Sequence, residues 1–198
     1  MAPDSAENPF ITFSEWFEEA SHHKDIKEAN AVNLATASRD GLPSNRMVLL
    51  KDYNEEGFVF YTNLNSHKGK QLKENPFAAM CFYWEPLSKQ VRIEGFVINV
   101  DAAEADAYFA SRPFKSQIGA WASKQSQPLD SQATLLKEIA KQTARFATQD
   151  VPRPEHWSGF RLVPCYMEFW QKGEYRLHQR LSYVCDEGNN WKSQLLYP

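Results

Sequence analysis

FAAMCFYWEPLSKQVRIEGFVINV, the sequence of residues 77–100, predicts two antiparallel strands joined by a short turn. Aromatic and β-branched residues, which favour strands, are frequent on both sides of the turn residues EPLS. Three similar runs precede this hairpin, namely AVNLATAS (31–38), SNRMVLLK (44–51) and GFVFYT (57–62), and the turn sequences DGLP and NEEG separate them. The first half of the chain therefore predicts three consecutive strands and, after a polar segment, the two strands of this hairpin.

The last fifty residues return to the same pattern. The predicted strands are FRLVP, YMEFWQ, EYRLHQRLSYV and WKSQLLY, with a tight turn at Lys172-Gly173 between the second and third. Strands in this number, joined mainly by short turns, favour an antiparallel barrel, mainly β with peripheral α-helices. A dinucleotide-binding α/β fold is disfavoured, because the sequence contains no G-x-G-x-x-G turn.

Four helices are predicted around these strands, and another short helix is expected to start near Ser116. Thr12 and Glu15 form a capping box and predict a first helix over about residues 12–24. A short polar helix is expected over 66–74, and Asp101 with Glu104 predicts another that ends near residue 111, before Pro113. A longer helix is expected over roughly residues 130–148.

Composition narrows the classes of function. The 198 residues contain 22 Lys and Arg against 25 Asp and Glu, and the net charge of −3 gives no bulk attraction to nucleic acid or to an anionic membrane. Three widely spaced cysteines form neither a disulfide framework nor a metal-binding motif, so no metal is expected and a reducing cytoplasm fits best. No linker divides the sequence, which predicts one domain over residues 1–198.

Basic residues in the last predicted strands suggest one anion site. Alternation along a strand would place Arg176, His178 and Arg180 on one face. Such a face is either solvated or a site for an anion or a polar ring, since Arg offers a planar set of donors and His a switchable one.

Two further groups of polar and basic residues could also bind an anion. Tyr108 and Arg112 lie four residues apart on a predicted helix, and Ser116 follows near the start of the next, an arrangement suited to a phosphate monoester. Ser66 and Lys68 begin the polar helix, where the helix dipole also favours an anion. Arg46 and Lys51 lie about 16 Å apart on one predicted strand, so they could bracket an extended ligand but not one small anion.

Several segments together resemble one known family. RMVLLK (46–51), FYTNLNSHKGKQL (60–72), NPFAAMCFYWEPLSKQVRIEG (75–95), YFASRP with SQIGAWASKQS (108–126) and MEFWQ with RLHQR (167–180) are similar to pyridoxine/pyridoxamine 5′-phosphate oxidases. The resemblance runs in order from about residue 8 to residue 198. It implies an FMN-binding split β-barrel that forms a homodimer with FMN at the subunit interface, and oxidation of the C4′ carbon of a phosphorylated pyridine with O₂ as acceptor.

The resemblance also implies roles for individual residues. Those expected to contact FMN are Arg46, Met47, Val48, Leu49, Leu50, Lys51, Tyr61, Thr62, Ser66, His67, Lys68, Gln90, Gln125, Ser126, Trp170 and Arg180. Those expected to hold the substrate are Lys51, Tyr108, Arg112, Ser116, Arg176 and His178, with Arg176 and His178 as catalytic residues that orient the ring.

Two departures from the family pattern qualify these expectations. The family usually has Arg at the position of His67, so a fixed charge beside the FMN phosphate is replaced by a side chain that titrates near neutral pH. Family members also commonly carry an active-site covering segment ahead of the NPF motif, and only seven residues precede Asn8 here.

Two other functions stay open at the level of sequence. One is a related FMN oxidase that acts on another ring, as in phenazine biosynthesis, although Tyr108, Arg112 and Ser116 count against it. The other is a flavin- or pyridoxal-phosphate-binding protein without turnover, which the presence of both Arg176 and His178 disfavours.

Overall fold

The computed structural model describes residues 8–198, which form nine strands and five α-helices. The strands are β1 (Ala31–Ala37), β2 (Pro43–Leu49), β3 (Asp52–Asn54), β4 (Gly57–Asn63), β5 (Phe77–Trp84), β6 (Lys89–Asn99), β7 (Trp157–Gln171), β8 (Gln179–Cys185) and β9 (Trp191–Leu196). The helices are α1 (Pro9–His22), α2 (His67–Glu74), α3 (Ala102–Ser111), α4 (Phe114–Ala122) and α5 (Gln132–Arg145). Within the described residues, no helix is both long and apolar enough to cross a membrane.

All nine strands belong to one antiparallel sheet. Its order is β2-β1-β5-β6-β7-β4-β3, and β8 and β9 extend it from β7. The sheet curls until β2 contacts β4, which produces the split barrel. This confirms the predicted fold class of an antiparallel barrel with peripheral helices.

Strand β7 joins the two parts of the sheet. It pairs with β6 along one edge, while its other edge pairs first with β4 and then with β8. The sequence predicted two strands here, but FRLVP and YMEFWQ are one strand with a bulge at Cys165, where Glu94 opposes Tyr166 and Gly95 opposes Pro164. A Cβ on Gly95 would lie 2.0 Å from the Val163 carbonyl oxygen, so only glycine allows this approach.

The main core lies between α1 and the inner face of the sheet. Phe13 is fully buried, and its ring meets Phe58, Tyr53 and Phe82 at centroid distances of 4.8–5.4 Å. A second, smaller cluster packs α3, α4 and α5 against Trp157 and Tyr61 on the outside of the barrel. The peripheral helices are therefore attached through aromatic residues of β4 and β7.

Helix ends differ from their predicted positions in two places. Helix α1 begins at Pro9 because the Asn8 side chain accepts a hydrogen bond from the Phe10 amide, whereas Thr12 is buried and does not cap the helix. Helix α5 begins after Ser131 and ends at Arg145, three residues before the predicted end. The predicted cap of α3 is confirmed, since Asp101 accepts from the Glu104 amide at 2.7 Å.

The connection between β7 and β8 is where the sequence prediction is wrong. Instead of a tight turn at Lys172-Gly173, residues 172–178 form a loop with a 3₁₀ turn, and β8 begins only at Gln179. Arg176 and His178 therefore do not alternate with Arg180 on one strand. A Cβ on Gly173 would lie 1.9 Å from the Leu177 carbonyl oxygen, which shows how closely the loop folds back on itself.

Strand β2 is also shorter than predicted. It ends at Leu49, so Lys51 lies in the connection to the additional short strand β3 and not on the strand that carries Arg46. The Lys51 amide instead donates to the Val59 carbonyl oxygen at 2.8 Å. Lys51 is consequently an exposed residue of a connection that crosses the end of the barrel.

Truncating Phe13 should destabilise the protein strongly. We expect Phe13→Ala to lower the free energy of unfolding by about 3–5 kcal/mol, because it leaves a cavity among four aromatic rings. Urea unfolding at fixed protein concentration measures the change. Ile11→Ala on the exposed side of the same helix is the control and should cost under about 1 kcal/mol; equal losses would contradict this account of the core.

Candidate functional site

A buried lysine marks the first group of predicted residues, the Lys68 cluster, which consists of Thr62, Lys68 and Gln125. The Lys68 ammonium donates to the Thr62 hydroxyl at 3.2 Å and to Gln125 Oε1 at 3.4 Å. Ser66 caps α2 by accepting from the Gly69 amide, which places Lys68 in the first helical turn. The predicted residues of β4, α2 and the segment after α4 are thus brought together.

Arg46 adds a second positive charge beside this cluster. Its guanidinium donates to the hydroxyl groups of Thr36 and Ser44, both at 2.6 Å, and to the Leu34 carbonyl. Within the described part of the chain, every hydrogen-bond partner of Arg46 and Lys68 is neutral. Burial and the charge of Arg46 lower the pKa of Lys68. Two partly desolvated cations without a carboxylate form a site for an anion.

An arginine among aromatic rings forms the second group, the Arg112 cluster, which consists of Tyr61, Tyr108, Arg112 and Trp157. Tyr61 stacks on Tyr108 at 4.1 Å and on Trp157 at 5.1 Å between ring centroids. The Arg112 guanidinium lies over the Trp157 ring at 4.8 Å, and its Nη1 is buried with no hydrogen-bond partner among the described residues. A buried N–H group of this kind is satisfied when a ligand supplies an oxygen.

The corner between α3 and α4 positions this arginine. Arg112 caps α3 and Pro113 precedes α4, so the chain turns sharply there and Ser116 lies exposed in the first turn of α4. The Tyr61 hydroxyl donates to Glu104 Oε1 at 3.4 Å. Burial, followed by the neighbouring Glu104 charge, raises the pKa of Tyr61 well above its usual value, so the hydroxyl stays protonated.

The third group, the Trp170 group, lies at the other end of the sheet and consists of Gln90, Trp170, His178 and Arg180. Gln90, Trp170 and Arg180 are direct cross-strand neighbours on β6, β7 and β8. The His178 ring lies 4.7 Å from the Trp170 ring, and its Nδ1 accepts from the Gly173 amide at 3.3 Å. This group provides a flat surface with polar donors around it.

Arg176 is close to this group in sequence but lies in the strained loop. Tyr175 and Arg176 both have positive φ angles, 53° and 64°, which are unfavourable for residues with a Cβ. The Arg176 side chain is exposed. The predicted common strand face of Arg176, His178 and Arg180 is replaced by a loop that carries the first two and a strand that carries the third.

The remaining predicted residues line the edges of these groups. Met47, Leu49, Lys51, His67 and Ser126 are exposed, and Val48 is half-buried. Leu50 is almost completely buried in the main core, so a ligand could reach only its backbone. Ser126 has a positive φ of 67°, which marks the turn after Gln125.

One protomer does not bring all predicted substrate residues together. Trp157 of the Arg112 cluster and Trp170 are at opposite ends of β7, about 40 Å apart along the strand. Arg112 and the pair Arg176 and His178 therefore cannot hold one small molecule within the same protomer.

Sequence reasoning missed two residues that shape these groups. Trp157 supplies the ring under Arg112, and Glu168 forms ion pairs with Arg92 and Arg180. A signal for Glu168 was present, since an acidic residue between Met167 and Phe169 is unusual in an otherwise apolar strand. In residues 8–198, no three His, Cys, Asp or Glu side chains are grouped as metal ligands would be.

Comparison with known proteins identifies the family. Residues 19–145 match the family described as pyridoxamine 5′-phosphate oxidase, and residues 157–198 match the pyridoxine 5′-phosphate oxidase C-terminal dimerisation region. A pyridoxine/pyridoxamine 5′-phosphate oxidase from Maricaulis maris is 54% identical over 193 residues, which cover 97% of this chain and 86% of that protein. Pyridoxine/pyridoxamine 5′-phosphate oxidase 2 from Ralstonia nicotianae is 52% identical, covering 98% and 91%.

Solved structures agree on the fold. PhzG from Burkholderia lata, in complex with tetrahydrophenazine-1-carboxylic acid, superposes with a TM-score of 0.92 at 32% identity, covering 98% of this chain and 95% of that one. An FMN-binding protein from Nostoc punctiforme, described as pyridoxamine 5′-phosphate oxidase-related, has a TM-score of 0.76 at 17% identity, covering 98% of this chain and 100% of that one. At 17% identity, the likeness to the Nostoc punctiforme protein shows a shared fold and no more.

The sheet defines the class first: this is an antiparallel split β-barrel whose C-terminal residues match a dimerisation region. The chain belongs to the pyridoxine/pyridoxamine 5′-phosphate oxidase family. The family resemblance stated from the sequence is confirmed, and membership makes the protein an oxidoreductase.

Replacing Lys68 by an uncharged residue should stabilise the ligand-free protein and weaken its binding of a phosphate-bearing ligand. We expect Lys68→Met to raise the free energy of unfolding of the ligand-free protein by about 1 kcal/mol, because a buried charge without a carboxylate partner is removed. The same change should weaken binding of a phosphate-bearing ligand by about 10-fold or more. Urea unfolding measures the first effect, with the exposed Lys70→Met as control; a less stable Lys68→Met protein would contradict the expectation.

Proposed function

We propose that the protein oxidises pyridoxamine 5′-phosphate and pyridoxine 5′-phosphate to pyridoxal 5′-phosphate with FMN as cofactor and O₂ as acceptor. The products would include H₂O₂ and, from the amine, ammonia. The observation that carries the proposal is the presence of two separate anion sites, the Lys68 cluster with Arg46 and the Arg112 cluster, in a member of this family. A phosphorylated cofactor and a phosphorylated substrate require two such sites.

The residues present fit FMN. Among the residues that the structure describes, Arg46 and Lys68 have neutral hydrogen-bond partners only, which suits the phosphate of the cofactor. Trp170, Gln90 and Arg180 lie at the other end of β7, so those of the partner protomer would supply the aromatic face and donors that suit the flat ring of the same FMN. Bound FMN supplies the two-electron chemistry that amino acid side chains lack.

The presence or absence of a carboxylate partner supports different roles for Arg112 and Arg180. Arg112 has a buried Nη1 without a partner in residues 8–198, so it suits the substrate phosphate together with Tyr108 and Ser116, while Lys51 would contact another part of the substrate. Arg180, in contrast, is neutralised by Glu168, which it contacts at 2.9 and 3.1 Å. A paired arginine favours an uncharged polar group such as a ring carbonyl, and an unpaired one favours a phosphate.

Positioning is the part of the reaction that this chain would perform. His178 accepts from the Gly173 amide at Nδ1, so its Nε2 carries the proton in the neutral ring and is free to donate to the substrate. Arg176 is exposed next to it and would hold the opposite edge of the substrate ring. Holding the C4′ carbon in a fixed orientation is the contribution to the rate that these two residues would make.

A homodimer would complete the site. Arg176 and His178 of one protomer would join the Arg112 cluster of its partner, because the two sets are at opposite ends of β7. The dimerisation region matched by residues 157–198 supports this arrangement. Exposed apolar side chains lie on the outer face of the sheet, Met47, Leu49 and Tyr83 among them, and they suit burial against a second copy.

The location that we propose is the cytoplasm. All three cysteines are free thiols, which fits a reducing compartment.

A phenazine-type oxidase is the second candidate, and the likeness to PhzG favours it. Its carboxylate-bearing ligand is also an anion and could occupy a cationic site. The Arg112 cluster with Ser116 nearby offers more donors than one carboxylate uses, which supports a phosphate instead.

Anaerobic reduction separates these functions. The purified dimer should contain FMN, and mixing it without O₂ with pyridoxamine or pyridoxine 5′-phosphate should bleach the visible flavin absorbance. Readmitted O₂ should restore the colour with formation of H₂O₂. Bleaching by a partly reduced phenazine carboxylate and by neither phosphate would support the second candidate, and a yellow protein that no substrate bleaches would support a binding protein.

Mixing two inactive variants should restore activity if the site is shared. Arg112→Ala and Arg176→Ala each damage one half of every site, but a mixed dimer contains one site with both arginines. After random subunit exchange we expect about a quarter of wild-type activity, because half of the dimers are mixed and half of their sites are intact. Steady-state assays before and after exchange measure the recovery.

The control pair is Arg176→Ala with His178→Ala, which lie on the same side and should give no recovery. Recovery in the control pair, or none in the Arg112 and Arg176 pair after exchange is verified by mass, would contradict a site built from two protomers.

A further inference from the structure

Glu168 is a buried carboxylate that the proposed reaction does not use directly. It is 2% exposed, although its side chain lies on the opposite face of β7 from the core residues Met167 and Phe169. Four hydrogen bonds surround it: from Arg180 Nε at 2.9 Å and Nη2 at 3.1 Å, from Arg92 Nη1 at 3.0 Å, and from the Tyr166 hydroxyl at 2.9 Å. Its neighbours therefore satisfy both carboxylate oxygens.

The carboxylate is ionised in this setting. Burial alone would raise the pKa of Glu168, but hydrogen bonds from Arg180 and Tyr166 and the charges of both arginines outweigh it and lower the pKa. Burial and the same carboxylate raise the pKa of Tyr166 to about 12, so its hydroxyl remains a donor. Glu168 is thus a permanent negative charge at neutral pH.

Arg180 is held at three of its nitrogen atoms. Two of them donate to Glu168 in a bidentate ion pair, and Nη1 donates to the Tyr197 carbonyl oxygen at 3.1 Å. The paired geometry fixes the plane of the guanidinium beside Trp170, its cross-strand neighbour. Two of the five N–H groups have no partner in the described residues and are available to a ligand.

We propose that Glu168 is a positioning residue: it fixes Arg180 as a neutralised hydrogen-bond donor for the ring portion of the flavin, whose negatively charged phosphate would be bound by Arg46 and Lys68 of the other protomer. This inference rests on the proposed FMN site. It assigns Glu168 two effects, orientation of the Arg180 donors and cancellation of the positive charge next to the ring.

Glu168→Gln tests both effects with little change in shape. The variant loses the bidentate ion pair and leaves Arg92 and Arg180 without their shared counter-charge. We expect FMN to bind about 10-fold more weakly, the loss associated with breaking a charge-assisted hydrogen bond. We also expect the midpoint potential of the bound flavin to become more positive, because an uncompensated positive charge favours uptake of electrons.

A double-mutant cycle separates positioning from a general loss of stability. Arg180→Ala alone should weaken FMN binding, and adding Glu168→Gln to it should change the dissociation constant by less than about 2-fold, since Glu168 acts through Arg180. The readouts are FMN dissociation constants by flavin fluorescence and the flavin potential, with thermal unfolding of each cofactor-free variant. The dimeric protein is used throughout.

Glu94→Gln is the matched control. Glu94 is a half-exposed carboxylate of the same sheet face, paired with Arg92 but not with Arg180. Glu94→Gln should leave FMN affinity within about 2-fold of wild type.

Tyr166→Phe is the substitute variant if Glu168→Gln does not fold. It removes one hydrogen bond to the Glu168 carboxylate and keeps all charges. It should also weaken FMN binding, and this effect should vanish in the Arg180→Ala background.

The possible outcomes are distinct. Equal effects of Glu168→Gln with and without Arg180, or an unchanged flavin potential, would overturn the positioning role while the proposed function stands. A wild-type protein that does not bind FMN would overturn the proposed function and this inference with it. The positioning role of Glu168 would be established if Glu168→Gln lowers FMN affinity and makes the flavin potential more positive, and if both effects disappear in the Arg180→Ala background.

Discussion

Strand β7 must hydrogen-bond to β6 along one edge and to both β4 and β8 along the other, and the rest of the structure depends on this constraint. The bulge at Cys165 lets one strand serve the barrel with its first half and the C-terminal extension with its second. The same strand carries Trp157 near one end and Trp170 near the other. The two groups of proposed site residues in one protomer therefore lie at opposite ends of a single strand.

The cationic residues of the proposed site differ in whether a carboxylate neutralises them. Within residues 8–198, the hydrogen-bond partners of Arg46 and Lys68 are neutral and Arg112 Nη1 has none, and partial burial lowers the pKa of all three side chains. Arg180 is paired with a buried carboxylate. Unpaired buried charge is unfavourable for the ligand-free protein, so its presence in two separate places indicates binding, whereas the paired arginine can serve orientation.

The sequence was a reliable guide wherever local patterns agree with the tertiary structure. The cap at Asp101, the start of α2 after Ser66 and the strands on either side of EPLS are where the sequence predicts them, because caps and alternating apolar residues act over a few residues. It was wrong for residues 172–178, where alternation in EYRLHQR is typical of a strand. The close approach of Gly173 to Leu177 cannot be inferred from that alternation, since it depends on how the loop folds back.

Sequence by itself determined the antiparallel barrel class, the family and the types of side chain available for anion binding. These follow from composition, short-range periodicity and motifs that are contiguous along the chain. Only the tertiary structure decided that Thr62, Lys68 and Gln125 meet, that Arg112 lies over Trp157 with a buried donor lacking a partner among the described residues, and that Glu168 neutralises Arg180. Contacts between residues far apart in sequence depend on strand register and sheet curvature, and neither is encoded in any single segment.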